Sequence, residues 1–335
     1  MTDPNREMPK ADEMELAYDR IQRLEWQFAP LVVLQAASDT GLLGLLAAED
    51  TVTAAAAAEQ LRLHPEVTVK VLRALAGMGI LASAGDSFEM RAGYRPLFDP
   101  GSEVSHDAGL RHLFELSQRW AAELPEFLRS GEWTKSERTP EGTAAFVRSM
   151  RSLAYGITAR LDAALDLSQA RRLLDLGGGL GTYAIELCMR HPSLHGTVVD
   201  VEAVIEHTRA EIARHGLEDR LDALAGDYLD VELPGSMDVV LLANVLHQER
   251  PDAAAKLIAR AAAALAPGGQ LVVLDFTLED NRREPLMGAI FAINMRLFGD
   301  TYSESDLRGW MERAGLSGVT RTDLSPNKFI LVGRK

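Results

Sequence analysis

Between residues 14 and 28, Met14, Ala17, Ile21, Leu24 and Phe28 recur at alternating spacings of three and four. This apolar stripe predicts a helix bounded by Pro30. Such a stripe at a chain end needs cover, either from its own domain or from a second copy of the chain. Further on, Thr53 stands where it can cap an alanine-rich helix, and His64-Pro65 opens another with Val67, Val71, Leu72 and Leu75 among its apolar positions. Gly77 and Gly79 end that helix, and two short strand-like pieces flank "SAGDS". Helix, turn, helix, hairpin is the outline of a winged helix. Residues 105–170 read as helices broken at Pro125 and at "SGEWTKSERTPEG". From residue 171 strands and helices alternate. The strand candidates are 172–176, 196–200, 221–225, 237–243, 270–276, 317–323 and 328–333. Long helical stretches separate the first five, which predicts an α/β fold with a parallel, doubly wound sheet. The last two are joined only by "LSPN", too short for a crossover, and predict an antiparallel hairpin. The expected organisation is a winged-helix domain over 1–104, a helical linker or lid over 105–170, and an α/β domain over 171–335.

At 335 residues, 47% of them hydrophobic, the chain is long enough for more than one core. Its formal charge of −14 argues against nucleic acid and anionic membrane as partners. The winged-helix outline tests this locally. Residues 1–100 hold nine Lys or Arg against fifteen Asp or Glu, and the second helix of the motif offers only Lys70 and Arg73. That is too little cation for a phosphate track, so the motif reads as an assembly module. Cys188 is the single cysteine, which suits a reducing compartment and a buried, inert thiol. The N-terminus lacks a signal-peptide pattern, and the nearest candidate for a membrane span, "APLVVLQAASDTGLLGLLAAED", is broken by Gln35, Ser38, Asp39 and Thr40. The expected location is the cytoplasm.

The densest chemical signal is "RRLLDLGGGLGTYAIEL", residues 171–187, a strand, a glycine turn and a helix. A turn of this kind brings backbone close to a ligand. "GLGTYA" at 179–184 fits the G-x-G-x-x-A form of a dinucleotide fingerprint, whereas "DLGGGLG" at 175–181 fits D-x-G-x-G-x-G, found in enzymes that use S-adenosylmethionine (SAM). Context separates the two. Asp200 closes the next strand, where it can accept from both ribose hydroxyls of either cofactor. "AGDYLD" closes the third, where Asp227 can accept from an adenine amino group and Tyr228 offers the ring an apolar face. Asp175, beside the glycines, suits the ammonium of SAM and would repel a pyrophosphate.

These motifs together resemble the SAM-dependent O-methyltransferases of the plant phenolic and bacterial polyketide-tailoring type. The resemblance is carried by "LLDLGGGLGTYAIEL", "VVDVEAVI", "GDYLDVELPGSMDVVLLANVLHQ", "LAPGGQLVVLDF" and "TYSESDLRGWMERAGL", with "HPEVTVKVLRALAGMGIL" similar to the dimerisation domain of that family. It implies a Rossmann-like, seven-stranded methyltransferase sheet and a homodimer formed through the N-terminal domain. It implies SAM as cofactor, S-adenosyl-L-homocysteine as product and a small-molecule acceptor. The cofactor-binding positions it implies are Asp175, Gly177, Gly179, Asp200, Val201, Gly226, Asp227, Tyr228, Ala243 and Asn244.

On residues alone, His247 reads best as a histidine that hydrogen-bonds at a strand end; the resemblance makes it the general base. The resemblance likewise matches Asp275 to the acid that orients the histidine, with a cap on the following turn as the alternative. Where the plant enzymes have His-Asp-Trp, this chain has His247-Gln248-Glu249, and a further acid of the family falls at Thr301. Gln248 is a poor metal ligand and residues 276–335 contain no histidine, so no metal is expected. The implied acceptor-lining positions are Met150, Tyr155, Phe291, Asn294, Met295 and Phe298. Met287, Phe291, Met295 and Phe298 are expected along one helical face, a stripe that core packing would also explain. The reading is methyl transfer to a hydroxyl of a small aromatic or polyketide-like metabolite, in secondary metabolism. The alternatives are C- or N-methylation on the same scaffold, or a SAM-binding protein with a non-methylating or regulatory role.

Overall fold

The computed structural model describes residues 11–133, 139–295 and 299–335. The chain forms two compact units, Met1–Ser117 and Gln118–Lys335.

The first unit is mostly helical. It contains α1 (Ala11–Glu25), α2 (Ala29–Asp39), α3 (Leu42–Ala48), β1 (Val52–Thr53), α4 (Ala54–Leu61), α5 (Pro65–Gly77), β2 (Leu81–Ala84), β3 (Ser87–Met90), α6 (Arg95–Phe98) and the start of α7 (Asp107–Ser130). The stripe at 14–28 does not make a single helix. A 3₁₀ turn at Trp26–Phe28 divides it, and Pro30 begins α2, because a proline ring is tolerated in the first helical turn, where its missing N–H costs nothing. Thr53 caps α4 by accepting from the Ala56 amide at 3.2 Å. β1, β3 and β2 form a small antiparallel sheet in that order. Leu42, Leu46, Leu72, Leu75, Leu81 and Met90 are the centre of this unit's core. Met14, Ile21, Leu24 and Phe28 lie outside it, each between 43% and 62% exposed.

The second unit contains the rest of α7, then α8 (Pro140–Ala164), β4 (Arg172–Leu176), α9 (Thr182–Arg190), β5 (His195–Asp200), α10 (Glu202–Arg214), β6 (Leu221–Ala225), β7 (Met237–Ala243), α11 (Pro251–Ala264), β8 (Leu265–Phe276), α12 (Leu286–Asn294), α13 (Glu304–Arg313), β9 (Ser317–Ser325) and β10 (Lys328–Arg334). Its seven strands lie in the order β6-β5-β4-β7-β8-β10-β9. The first five are parallel and β10 runs antiparallel to both its neighbours. The expected α/β, Rossmann-like sheet with its closing hairpin is therefore present. β7 is a nearly continuous apolar run, and β4 is buried from Leu173 to Leu176, because helices cover both faces of a parallel sheet. One core layer packs α11 and α13 onto the sheet through Leu257, Ile258, Leu307 and Met311. The other packs α8 and α9 through Leu161, Ala184 and Cys188.

α12 is shorter than the apolar stripe suggested. It ends at Asn294, and Met295 is extended, with ψ 144°, so Met295 does not continue the helical face of Met287 and Phe291. Phe298 lies outside the described residues. Gly288 lets α12 pack closely, since a Cβ there would come within 2.1 Å of the Thr277 carbonyl oxygen just past β8.

Candidate active site

The carboxyl ends of the parallel strands gather most of the residues singled out in the sequence. After β4 the chain turns through Gly177, Gly179 and Gly181, whose φ angles are +69°, +58° and +74°, values that glycine adopts without strain. Gly178 is held by contact instead. A Cβ there would lie 2.6 Å from Oδ2 of Asp175 and 2.7 Å from Cγ1 of Val198. Asp200, at the end of β5, fixes the turn, its Oδ2 accepting from the Gly179 amide and its Oδ1 from the Val201 amide, both at 2.8 Å. Burial pushes the Asp200 carboxyl above its ordinary value, against these two bonds. Each of its oxygens keeps a lone pair for a further donor.

Asp175 is fully buried beneath the turn, and neither of its oxygens has a hydrogen-bond partner of normal geometry. Burial first, and the charge of Asp200 second, push its carboxyl up to about 7, with the Ala184 amide offsetting little of this. At the end of β6, the Gly226 amide donates to the Asp200 carbonyl at 2.9 Å. The exposed Asp227 accepts from the Leu229 amide at 2.8 Å. Tyr228 donates to Oε1 of Glu249 at 2.6 Å, and its ring edge lies 3.5 Å from the Cβ position of Gly177.

These features fit SAM. The turn leaves open space at Gly179, and Asp200 offers acceptors for a pair of hydroxyls. Two carboxyls, Asp175 and Asp200, border the turn, a setting that favours an ammonium and disfavours a phosphate. Among the described residues no three His, Cys, Asp or Glu side chains gather as a metal site would require.

β7 ends at Ala243. Asn244 follows in the left-handed region, φ +57°, its amide donating to the Leu274 carbonyl at 2.8 Å and its side chain to the Tyr183 hydroxyl at 3.3 Å. The chain then forms a 3₁₀ turn, Leu246–Gln248, that buries His247. Nδ1 of His247 lies 2.6 Å from Oδ1 of Asp275 at the end of β8, and the same oxygen accepts from the Phe276 amide at 2.8 Å. A carboxylate can only accept, so Nδ1 carries a proton, and the lone pair of a neutral imidazole here is on Nε2. Burial alone would push Asp275 up, but the charge of His247, their hydrogen bond and the charge of Lys328 hold its carboxyl below its ordinary value.

Aromatic rings wall the imidazole. Phe291 meets it edge-on with centroids 4.9 Å apart, and Phe291 stacks on Phe276 at 3.6 Å. The other described acceptor candidates come from two elements, Met150 and Tyr155 from α8 and Asn294 and Met295 from the end of α12. Tyr155 donates to Oε1 of Glu186 at 2.9 Å, on the α8–α9 side. Asn294 accepts from Arg119 at 3.2 Å, and Met150 and Met295 are half-buried. Thr301 is buried, and its hydroxyl has no partner among the described residues.

The family model of the O-methyltransferase domain matches residues 121–317, more than half of the chain. The chain belongs to that O-methyltransferase family. It is a SAM-dependent methyltransferase. Among its relatives, 3-hydroxy-5-methyl-1-naphthoate 3-O-methyltransferase of Streptomyces sahachiroi is 29% identical over 85% of this chain and 86% of its own. The N,N-dimethyltransferase OxyT of Streptomyces rimosus is 28% identical over 84% of this chain and 86% of its own. Among solved structures, human N-acetylserotonin methyltransferase in complex with SAM superposes with a TM-score of 0.81. It is 21% identical over 100% of this methyltransferase and 99% of the human chain, a likeness of fold.

Three residues of this cluster escaped the sequence reading: Phe276, Tyr183 and Lys328. Lys328 had a signal. It is the one charged residue at the head of the apolar run "KFILVG", and a hairpin returning beside β8 puts it opposite Phe276.

Proposed function

We propose that this methyltransferase acts on a hydroxyl of a small aromatic or polyketide-like metabolite, with His247 as the general base. One observation carries the reading: a buried imidazole whose Nδ1 is committed to Asp275 at 2.6 Å and whose ring is walled by Phe291 and Phe276. When bound, SAM supplies an electrophilic methyl group on a sulfonium. The protein must align an acceptor oxygen with it and exclude water. His247 Nε2 takes the proton of the acceptor hydroxyl, and Asp275 holds the tautomer and stabilises the imidazolium that results. The rings suit a flat apolar acceptor, and Phe291, with Met150, Tyr155, Asn294, Met295 and Phe298, is assigned to its pocket. The naphthoate O-methyltransferase relative supports this acceptor class.

Asp200 is assigned to the ribose hydroxyls. Gly177, Gly179 and Asp175 are assigned to the amino-acid end of SAM, and Val201, Gly226, Asp227, Tyr228, Ala243 and Asn244 to the nucleoside end. No metal has a role. Residues 1–104 serve as a winged-helix dimerisation domain, 105–170 as a helical linker or lid and 171–335 as the catalytic domain. The succession of α4, α5 and the β2–β3 hairpin supports the first of these assignments. The exposed α1 stripe supports a homodimer, and the acidic N-terminal domain speaks against DNA. No single helix among the described residues is long and apolar enough to cross a membrane, and the setting proposed is the cytoplasm.

Transfer to nitrogen is the second reading, supported by the similarity to OxyT; a neutral amine needs no base. The deciding experiment incubates the enzyme with labelled SAM and matched phenols and anilines. Label on oxygen supports the proposal, and label on nitrogen alone overturns it.

A further inference from the structure

The sheet brings a lysine to the methyl-transfer site that the reaction as described does not use. Lys328 is the first residue of β10 and pairs with Phe276 across the antiparallel ladder, one position beyond the Phe329–Asp275 pair. Its ammonium lies over the Phe276 ring, 3.2 Å from the centroid, and donates to Oδ1 of Asn244. Asn244 in turn donates to Tyr183. The amine is thus fixed at two points beside the histidine, the ring stacked on Phe291 and the residue after β7, and Asp275 lies within its electrostatic reach. Burial lowers the ammonium to about 7 against the attraction of Asp275.

We propose that Lys328 is a positioning residue of the site, whose charge offsets that of Asp275 and keeps the His247 imidazole neutral, the form able to accept a proton. The inference rests on the reading of His247 as the base. Its physics is charge balance. A buried carboxylate alone beside an imidazole favours the imidazolium, and a charged imidazolium has no lone pair to offer. A cation within electrostatic reach of that carboxylate opposes its field while leaving its hydrogen bond to Nδ1 intact. Among the described residues, the other titratable group facing the cluster is Tyr183 from α9, with Asp175 of β4 behind it. Burial raises the Tyr183 hydroxyl above its ordinary range, so it stays neutral. Lys328 and Asp275 therefore set the local balance. The sign is favourable: as pH falls through 7, where imidazole begins to take up protons, Lys328 becomes more fully charged and opposes that uptake.

The test compares wild type, Lys328→Met and Lys328→Arg. The ring proton signals of His247, assigned with H247Q, are followed by NMR against pH. In K328M the His247 signals should change at higher pH than in wild type, and in K328R they should return close to wild type. The acid limb of the pH–rate profile should move with it, so that K328M loses most at pH 6 and least at pH 8.5. A purely structural role would lower the rate by one factor at every pH. An unmoved His247 midpoint in K328M overturns the proposal. Where K328M fails to fold, judged by calorimetric SAM binding, K328Q makes the same comparison. A midpoint that moves while the pH–rate profile stays fixed upholds the lysine's control of the imidazole and overturns the reading of His247 as base.

Discussion

His247 and Asp275 stand 28 residues apart in the chain, and the sheet brings Nδ1 of one to 2.6 Å from Oδ1 of the other. The pairing follows from topology: β7 and β8 are adjacent and parallel, so their carboxyl ends, with Asp275 at the end of β8 and His247 just past β7, meet at one edge. If the histidine takes the acceptor's proton, H247A should lose roughly 10²–10⁴-fold in turnover. SAM affinity, measured by calorimetry, should stay within about twofold. The loss should shrink with a more acidic phenol, already partly ionised. D275N should approach the loss of H247A, because an amide can donate to Nδ1 and favour the wrong tautomer. Near-normal turnover of H247A on every phenol would remove base catalysis from the account.

The cofactor assignment is tested at Asp200. D200A removes the acceptor for two hydroxyls and should weaken SAM by about 2–4 kcal/mol. The same carboxylate ties down the Gly179 and Val201 amides, so D200N, which keeps an acceptor oxygen, should lose less. Wild type titrated with NAD should show no comparable binding. NAD bound as tightly as SAM would overturn the argument from Asp175 and Asp200.

The division between what was legible in the sequence and what was not has a physical basis. The strands of the sheet declare themselves because a parallel sheet covered on both faces needs nearly continuous apolar runs such as "MDVVLLA". The glycine turn declares itself through backbone conformations that other residues avoid. Lys328 and Phe276 were not singled out, because their importance lies in cross-strand register, which periodicity along one segment does not encode. Local geometry was hidden too. Periodicity carried straight through Trp26–Phe28 and past Asn294, whereas the backbone changes conformation at both. The same apolar spacing runs on to Met295, where the helix has already ended.

The α1 stripe predicts the assembly. Met14, Ile21, Leu24 and Phe28 remain exposed in the single chain, with Leu16, Tyr18 and Trp26 beside them. So many large apolar side chains on one short segment exceed what an isolated surface normally shows. Light scattering should give twice the 36.6 kDa chain mass, and the interface should bury more than about 2,000 Å² in total. I21E combined with L24E should yield a monomer with the fold of the second unit unchanged by circular dichroism. A wild-type monomer at micromolar concentration would refute the dimer.

Asp175 predicts an unusual pH dependence of stability. Its carboxyl titrates near 7 in the folded chain, against 3.8 for the free group. Between those values the folded chain holds a proton that the unfolded chain has lost. For this residue, stability must therefore fall as pH rises from about 4 to 7, by an amount of order a few kcal/mol. This is the reverse of Asp275, whose lowered carboxyl stabilises the fold above its unfolded value and loses that effect in acid. D175N isolates the effect. Any cost of burying an unpartnered amide is the same at every pH, whereas the cost of the charge is not. Measured by urea denaturation, D175N should gain on wild type by a few kcal/mol between pH 5 and pH 8. An ammonium seated at the glycine turn favours the ionised carboxylate, so stabilisation of the wild type by SAM should grow over the same range and that of D175N should not. An equal gap between the two proteins at pH 5 and pH 8 would mean that Asp175 titrates normally, and that the buried carboxyl has no part in sensing the cofactor.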